Sequence, residues 1–599
     1  AGGYLDANGP DETEDCEFRI VSGMEQGADR LIVRAAPNGW RLQAILPMES
    51  EGFKATFDPH LDEAEGPGGP ESFDGLLARA ESQAGVVVLD RLPGASSRFE
   101  HQGRMICLNS DVLVAVWDGQ QSKSSGGTGS NVALAVRLGI PVVRVATDGQ
   151  GGPWLQGPGD SDARDGEGLQ HLEARLERLM LAPPPASEPG GSHHRWPDLR
   201  EAYFAERAPV GRKGQLYDQM YYLLSFDYAG AIKNRKRILS GLRNPYGRHR
   251  ITDPAEATRK RWRENWTKEV GLDSSFVESI LGTRLAQHYG WASTLANYYA
   301  GRYRSTFLWA YLLAAVSVTF AAVGFSRLLL GQQEDAWTSL AYAGGEFLLL
   351  AAVFGAVIWA RRQKFHEKWL DFRALTEGLR SLTFTLPLGV PSVLAAGRGA
   401  VVETWVDWMH RAVVREIGAL PVTMTRAHLR EARDLISRGV LDGQIRYHGH
   451  NARALRRAAR RLEVFTTWCF LGGLALAAYH TGDALFELFA HHRTMWEVFF
   501  GRKLYELPTA VTLGIIAISV PAFAAAIHGF LSQAGMQDGA IRSRNIHRQL
   551  GEIQKTVGDP SLSLDSATLG SLATETAATM NAELGAWFTS YQGKPPNLP

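Results

Sequence analysis

Long apolar stretches occur only in the second half of the chain. Four of them cover residues 307–330, 341–360, 462–479 and 510–531. A hydrocarbon core of about 30 Å needs about 20 apolar residues in a helix, so the third stretch is marginal, either short or tilted. Tryptophan and tyrosine lie near the ends of the stretches, as at membrane interfaces. The pattern predicts four transmembrane helices; the alternative, four buried helices of a large soluble core, is far from ordinary soluble composition.

Lysine and arginine flank these stretches asymmetrically. They precede the first and third and follow the second and fourth, as Arg302, Arg304, Arg361, Arg362, Lys364, Arg453, Arg456, Arg457, Arg460, Arg461, Arg542 and Arg544. Cytoplasmic segments carry the excess of basic residues, so we expect two outward-pointing hairpins with all long segments in the cytoplasm. The tip of the second hairpin, residues 484–507, mixes aromatic and charged residues. It predicts an amphipathic helix in the outer interface, or one that dips back inward.

The two hairpins have similar flanks. Each follows a basic, aromatic entry segment, LANYYAGRYRSTF or ALRRAARRLEVF, and precedes an amphipathic exit helix. This similarity predicts a loose internal duplication, although such flanks also arise whenever membrane helices extend into the cytosol. The predicted division is a first hairpin at 306–362, cytosolic helices at 363–461, a second hairpin at 462–532 and C-terminal cytosolic helices at 533–599.

Three residues inside the stretches are candidates for a role in a pore. Glu346 is a charge in a hydrocarbon segment, which is costly unless it faces protein or water. Its alternative is a position close enough to the outer interface to be hydrated. We expect Pro521 to kink the fourth helix, and His528 to lie at the inner headgroup level.

The first 150 residues alternate between short apolar strands and helical segments. FRIVSG, RLQAILP, GVVVL, SDVLVAVWDG and PVVRVAT predict strands, and the segments between them predict helices. Near-continuous apolar strands separated by helices indicate an α/β fold, Rossmann-like, with a parallel sheet covered on both faces.

Two strand-to-helix turns of this domain are candidates for binding a nucleotide. The first comprises Ser22, Gly23, Met24, Glu25, Gly27, Ala28 and Asp29; the second comprises Trp117, Asp118 and Gly119, followed by Gly126, Gly127, Thr128, Gly129 and Ser130. Glycine permits a tight turn, and the N–H groups at a helix N-terminus favour an anion such as phosphate. Ligands of open α/β sheets bind beyond the carboxyl ends of the strands, where Asp118 could accept bonds from a ribose or base. The alternative is that both turns are structural.

The remaining segments change the picture little. Residues 151–195 are rich in glycine and proline and predict a linker with one helix, and residues 196–305 predict a basic, aromatic helical coupling module near the membrane surface. The formal net charge is zero, and no specific nucleic-acid partner is expected. Cys16, Cys107 and Cys469 have no metal-ligand spacing, so no metal and no covalently bound cofactor are expected. The acidic start of the chain has no signal-peptide pattern.

The segments SGMEQGADRLIVRAA, ILPM and SDVLVAVWDGQQSKSSGGTGSNVALAVRLGIPVV resemble the SLOG domain, over about residues 15–150. This domain is a Rossmann-like relative of the lysine-decarboxylase-like cytokinin-activating enzymes and the DNA-processing A protein. Two departures matter. The family's opening strand with its glycine turn is not visible before Phe18, so we expect either that the chain is truncated or that the first strand is lost. Hydrolytic relatives carry P-G-G-x-G-T-x-x-E, and Ala133 stands where that glutamate is expected, so the resemblance implies binding more than hydrolysis.

The rest of the chain resembles the SLATT membrane effectors found beside SLOG domains in bacterial nucleotide-signalling conflict systems. The similar segments are LANYYAGRYRSTF, FHEKWLDFRALTEGLR and AELGAWFTSYQGKPPNLP. The combined resemblance implies a homo-oligomer, from dimer to tetramer or larger, in the bacterial inner membrane. A nucleotide-derived second messenger would drive assembly or opening of a pore in anti-phage abortive infection. Two alternatives stay open: a membrane-anchored nucleotide or NAD hydrolase, and a nucleotide-regulated channel or transporter.

Overall fold

The computed structural model describes most of the chain. The described residues are 18–58, 72–92, 95–119, 126–147, 153–156, 181–182, 194–195, 203–206, 216–224, 227–243, 253–329, 336–391, 404–489 and 509–595. The fold is mostly helical, with strands near the N-terminus.

The N-terminal α/β unit contains a three-stranded parallel sheet in the order β1–β2–β3. Its elements are β1 (Arg19–Ser22), α1 (Ala28–Ala35), β2 (Arg41–Leu46), α2 (Ser50–Lys54), α3 (Phe73–Ser82) and β3 (Val86–Val88). The strands are in register from Arg19 opposite Arg41 to Leu46 opposite Val88. The middle strand is buried almost throughout, as expected for a strand with a neighbour on each side.

A second three-stranded sheet follows rather than extending the first. It is formed by β4 (Leu113–Val116), β5 (Val142–Val145) and β6 (Trp154–Gln156). Helix α4 (Ala95–Leu108) precedes β4, and α5 (Thr128–Arg137) lies between β4 and β5. The pair β4–β5 is parallel, whereas β6 runs antiparallel to β5.

This arrangement corrects two expectations. The strands do not form one parallel sheet, because no described ladder joins β1 to β4 and β6 is antiparallel. The sheet also continues past residue 150, into the predicted linker, which further holds the short hairpin of β7 (Leu181–Ala182) and β8 (His194–Arg195). Val114 is 45% exposed, so the second sheet is not covered on both faces. Alternating strands and helices specify local elements, but they do not specify which edges pair.

The remaining described residues are mostly helical. Its described elements are α6 (Leu216–Leu224), α7 (Tyr228–Arg243), α8 (Pro254–Arg263), a π-helix (Glu264–Val270), α9 (Ser274–Leu281), α10 (Leu285–Leu329), α11 (Ala336–Arg362), α12 (Phe365–Thr385), α13 (Trp405–Ile417), α14 (Arg426–Asp434), a second π-helix (Leu435–Leu441), α15 (Asp442–Phe489), α16 (Thr509–Ala534), α17 (Met536–Val557) and α18 (Ser566–Gln592).

Four described helices are long and apolar enough to cross a membrane, which confirms the predicted number. They are α10, α11, α15 and α16, called the span helices below. The third predicted stretch lies in α15, an unbroken helix of 48 residues. The predicted amphipathic segment 484–507 begins as the end of α15, and residues 490–508 lie outside the described part.

The two halves of the membrane region have the same order of elements. In each half a short helix runs into a seven-residue π-helix, a long helix and a second span helix follow, and an elbow leads into an exit helix. The elbow residues, Lys364 and Gly535, both adopt left-handed backbone conformations, with φ of 52° and 57°. The exit helices α12 and α17 pack back on the long helices α10 and α15.

The helices other than the span helices form a body whose centre is α12. We predicted α12 to be amphipathic, but it is buried on nearly all sides, including Asp371 and Glu377. Trp405 Nε1 donates to Asp371 Oδ2 at 2.7 Å, and Arg380 pairs with Glu377 at 2.6 Å. A helix surrounded by neighbours buries its polar side chains only where partners satisfy them. We call these helices, together with α18, the helical body.

Candidate functional site

The first predicted turn connects the carboxyl end of β1 to α1. Met24 has φ of 61° and Gly27 has φ of 85°, so the chain reverses sharply there. The carboxylate of Asp29, in the first turn of α1, accepts hydrogen bonds from the N–H groups of Gly23 and Glu25. Burial nevertheless raises the pKa of Asp29. A phosphate at this turn would therefore have to displace a carboxylate of the chain itself.

The surroundings of this turn keep it in place. The Ser22 hydroxyl accepts from Met24 N–H at 3.1 Å, and the buried Arg30 donates from Nε to the Met24 carbonyl at 3.3 Å. The Arg30 guanidinium lies 4.4 Å from the centre of the Phe57 ring. Burial, and secondly the charge of Asp29, raise the pKa of Glu25. The turn thus presents two acidic side chains in one small volume.

The second predicted turn follows β4 and packs against a buried cation of β5 that the sequence pattern did not indicate. Arg144, 5% exposed, places its guanidinium 4.3 Å from the Trp117 ring and 5.0 Å from the Trp154 ring. Its Nη1 donates to Gln156 Oε1 at 3.1 Å. A Cβ atom on Gly119, whose φ is 82°, would lie 3.4 Å from Arg144 Nη2. An arginine inside the apolar strand segment PVVRVAT was the signal available in the sequence.

Asp118 is exposed beside Trp117. Gly127 caps the N-terminus of α5 without a side-chain hydrogen bond, and Thr128, Gly129 and Ser130 form the first helical turn. Ala133, at the position where the hydrolytic motif has glutamate, is exposed on α5. Residues 120–125, between the two parts of this predicted turn, lie outside the described part.

Helix α4 contacts both turns. Gln102 Nε2 donates to the Gly23 carbonyl at 2.9 Å and to the Ile45 carbonyl at 2.8 Å. A Cβ atom on Gly126 would lie 2.7 Å from Phe99 Cβ, so the second turn packs against the same face of the helix. The side chains of Phe99 and Gln102 are neighbours on that face, since they are three residues apart.

The α/β unit is attached to the helical body along an edge of its first sheet. Val88 N–H donates to the Val422 carbonyl at 2.9 Å, and Met424 N–H donates to the Val88 carbonyl at 2.8 Å. The segment between α13 and α14 thus adds one parallel bridge to β3. Gln43 on β2 donates from Nε2 to the Ala419 carbonyl at 2.8 Å. Backbone pairing at a sheet edge fixes relative position as well as adding contacts.

A second attachment joins α4 to the N-terminus of α18, and we call it the α18 joint. The hydroxyl and N–H of the fully buried Ser566 both bond the carboxylate of Asp90, the N–H at 3.2 Å. His101 Nε2 lies 2.7 Å from Ser566 Oγ. Because a carboxylate only accepts, the Ser566 hydroxyl donates to Asp90 and accepts from Nε2–H of His101. Burial lowers the pKa of His101, although the charge of Asp90 opposes the shift.

The other end of α18 contacts the span helices. Tyr591 OH donates to the Ala534 carbonyl at the end of α16, at 2.8 Å. Tyr303 OH on α10 donates to the Lys594 carbonyl at 2.6 Å. A helix of 27 residues is about 40 Å long, so α18 links the α/β unit to the end of α16 and to α10 at Tyr303, just before its apolar stretch.

The three predicted pore residues lie in different surroundings. Glu346 shares a face of α11 with Val353 and Val357, which pack against α10. It makes no ion pair with a described residue. Pro521 lies inside α16 and packs on α15, where a Cβ atom on Gly473 would be 3.1 Å from its Cγ. His528 is exposed on α16. The three do not form a common site.

A cavity of about 430 Å³ lies elsewhere, where α11 meets α12. Its wall includes Lys368, whose Nζ is 2.9 Å from Glu206 Oε1, and Tyr299, whose hydroxyl bonds the same carboxylate. These polar groups satisfy one another and are remote in sequence from both turns. The described residues contain no group of three or more histidine, cysteine, aspartate or glutamate side chains placed to hold a metal.

No family model, curated protein or solved structure matches this chain.

Proposed function

We propose that the chain is a nucleotide-sensing membrane effector, with the α/β unit as a Rossmann-like sensor. A nucleotide-derived ligand binds at the two turns, and the helical body transmits the change to the span helices. These assemble or open as a pore that permeabilises the membrane, with the soluble parts in the cytoplasm. The observation that carries the proposal is the position of α4, which contacts both turns and also the α18 joint. The role in abortive infection rests on the resemblance described above.

The two turns suit different parts of a nucleotide. The acidic first turn, with Glu25 and Asp29, suits hydroxyl donors such as those of a ribose. The second turn combines the N-terminus of α5 with the buried Arg144 and the indole of Trp117. A helix N-terminus and a guanidinium favour phosphate, and an aromatic face favours a base. The methyl group of Ala133 favours binding over hydrolysis.

The free energy needed to open the effector sets a requirement on ligand binding. A ligand that moves the effector from 1:99 to 99:1 must bind the open state more tightly by about 5.5 kcal/mol. A buried hydrogen bond to a charged group contributes about 1.5–3 kcal/mol. Two or three such bonds between the ligand and the two turns, made only in the open state, are therefore of the right size.

The test uses the full chain reconstituted in dye-loaded liposomes and a panel of nucleotides. We expect at least one nucleotide to bind and to release the dye. Arg144→Gln should lower its affinity by about 10-fold or more, since a buried charged contact is lost. Arg137→Gln, at an exposed arginine in the last turn of α5, is the matched control and should change nothing. Binding without leakage would refute the pore, and product formation in the same samples would favour the hydrolase.

A further inference from the structure

The duplicated halves of the membrane region can be aligned residue by residue. The π-helices begin at residues 264 and 435, and the left-handed elbow residues are 364 and 535, 171 positions apart in both cases. For the long helices α10 and α15 the difference in residue number is smaller, because α9 is present only in the first half. Ser317 is buried and lies one turn beyond Leu313, on the face of α10 that packs on α11, and the buried Gly473 packs on Pro521 of α16. Matching residue 317 with residue 473 aligns α10 with α15 at a difference of 156 residues.

Most helix contacts occur twice under this alignment. α10 packs on α11 as α15 packs on α16, and α10 packs on α12 as α15 packs on α17. Among the four span helices, one contact occurs only once. α10 also packs on α16, but its counterpart, α15 on α11, has no comparable packing among the described helices. The four span helices therefore form an open row, α11–α10–α16–α15, and the two outer helices each keep one face without a protein neighbour.

The contact between α10 and α16 defines the geometry expected for a contact between α15 and α11. Along α10 and α16, Tyr303 OH accepts from Gln533 Nε2 at 3.0 Å, and the rings of Phe307 and Phe530 are 5.5 Å apart. Tyr311 packs directly over Gly529. The two helices are antiparallel, so the residues in contact have rising numbers along α10 and falling numbers along α16.

The counterpart positions on the outer helices are exposed. On α11 they are Leu348, Ala351, Gly355, Trp359 and Arg362, as counterparts of Ser519, Ala522, Ala526, Phe530 and Gln533. On α15 they are Glu463, Thr467, Leu471 and Leu474, as counterparts of Phe307, Tyr311, Ala315 and Val318. Leu348 is 67% exposed and Leu474 58%. We call these two surfaces the α11 face and the α15 face.

The two faces complement each other. Nothing lies within 4 Å of a Cβ atom on Gly355, so a neighbouring helix can approach closely there, as Tyr311 does at Gly529. Arg362 and Glu463 lie at the ends of their faces that adjoin the helical body, and they are brought together in the same register. Arg362 has no ion-pair partner in the described part of the chain. The α11 face thus matches the α15 face in shape and in charge.

We infer that the α11 face binds the α15 face of a second copy of this chain, reproducing between copies the contact that α10 and α16 make within one. The inference rests on the assembly step of the proposed function and does not depend on the ligand. The contact joins two different surfaces, so it is head-to-tail and closes into a ring when the rotation permits. Hairpins related by duplication would then alternate around the ring in nearly equivalent contacts.

The test is disulfide crosslinking of the full chain in membranes, without added nucleotide. The alignment places Ala351 opposite Leu471, so we expect A351C/L471C to give a ladder of crosslinked multimers on oxidation. A mixture of the two single variants should give dimers only, and each single variant alone should match the chain with its native cysteines. The control pair F354C/W468C lies at the same depth on other exposed faces and should remain monomeric.

The opposite outcomes overturn the inference. Dimers from either single variant alone would show a two-fold contact, and a monomeric A351C/L471C would show that the faces do not meet. Charge reversal gives a second measurement: E463R should weaken the ladder, and E463R/R362E should restore it. Nucleotide binding by the α/β unit, measured on the same samples, is expected to be unchanged. Loss of binding with an intact ladder would count against the sensor and not against this interface.

Discussion

The α18 joint offers the sharpest test of coupling between the α/β unit and the span helices. Ser566→Ala removes one hydroxyl from a fully buried position. Asp90 then loses a charge-assisted donor, and His101 Nε2–H loses its acceptor. Hydrogen bonds to charged groups contribute about 1.5–3 kcal/mol. We expect the joint to open more readily by that amount, which corresponds to roughly 10- to 100-fold, since 1.4 kcal/mol is a factor of ten.

Hydrogen exchange measures this opening directly. The amides of α4 and of the first two turns of α18 should exchange roughly 10- to 100-fold faster in the variant, whereas those of β1 and β2 should not. Nucleotide affinity should be retained, because Ser566 bonds Asp90 and His101 and neither turn, while dye release should fall because the joint no longer transmits the change. Ser571→Ala is the matched control, since that hydroxyl is exposed and bonds only the carbonyl of Ala567 in its own helix. Unchanged exchange at α4, or dye release equal to that of the unmodified chain, would refute the role of the joint.

Three further predictions follow from the described contacts. Gly85→Ala should detach the segment at Pro421 from β3, because the added Cβ would overlap the Pro421 ring. Amide hydrogen exchange near Thr423 should then be faster. Gly39→Ala, at a similar positive φ in open space, controls for backbone strain. Burial lowers the pKa of His410 to about 4, so its contribution to stability is complete above the unfolded value of about 6.5 and is lost as pH falls toward 4; thermal melts across that window should show it, and His410→Phe should flatten the dependence. Glu346→Gln should raise the melting temperature in liposomes without reducing dye release, because it removes a charge from the side of α11 that packs on α10.

Much of the local structure could be predicted from the sequence. The apolar stretches located the four span helices, because a run of about 20 apolar residues has few other stable solutions. The strands of the α/β unit were equally clear, as in GVVVL and PVVRVAT. The edge pairing was not, since β6 is three residues long and its partner is decided by packing rather than by pattern.

The two turns of the candidate site were predicted from the sequence, but their contacts were not. The turns at Gly23 and Gly127 were found from their glycines, yet Asp29, expected to face a ligand, accepts bonds from the first turn itself. Arg144 was missed because it lies in an apolar strand, where an arginine reads as an edge residue. Its burial depends on Trp154 and Gln156, which come from a segment that reads as a linker. Contacts between distant segments decide both cases, and no local pattern carries them.

The attachments between the α/β unit and the helical body were likewise not visible in any local pattern. Residues 419–424 connect two helices and have no motif, yet they hold the edge of the first sheet. Ser566 is one of three serines in a helix rich in small residues, yet it alone bonds both Asp90 and His101 in the described part of the chain. One attachment holds β3 and the other holds α4, so the α/β unit is fixed to the helical body at two of its elements. A ligand that shifts α4 relative to β3 would therefore act on α18, and through Tyr591 and Lys594 on the end of α16 and on α10 at Tyr303. Those two helices form the contact inside each chain that we propose is repeated between chains, so one displacement at α18 would alter the arrangement of hairpins throughout the assembly.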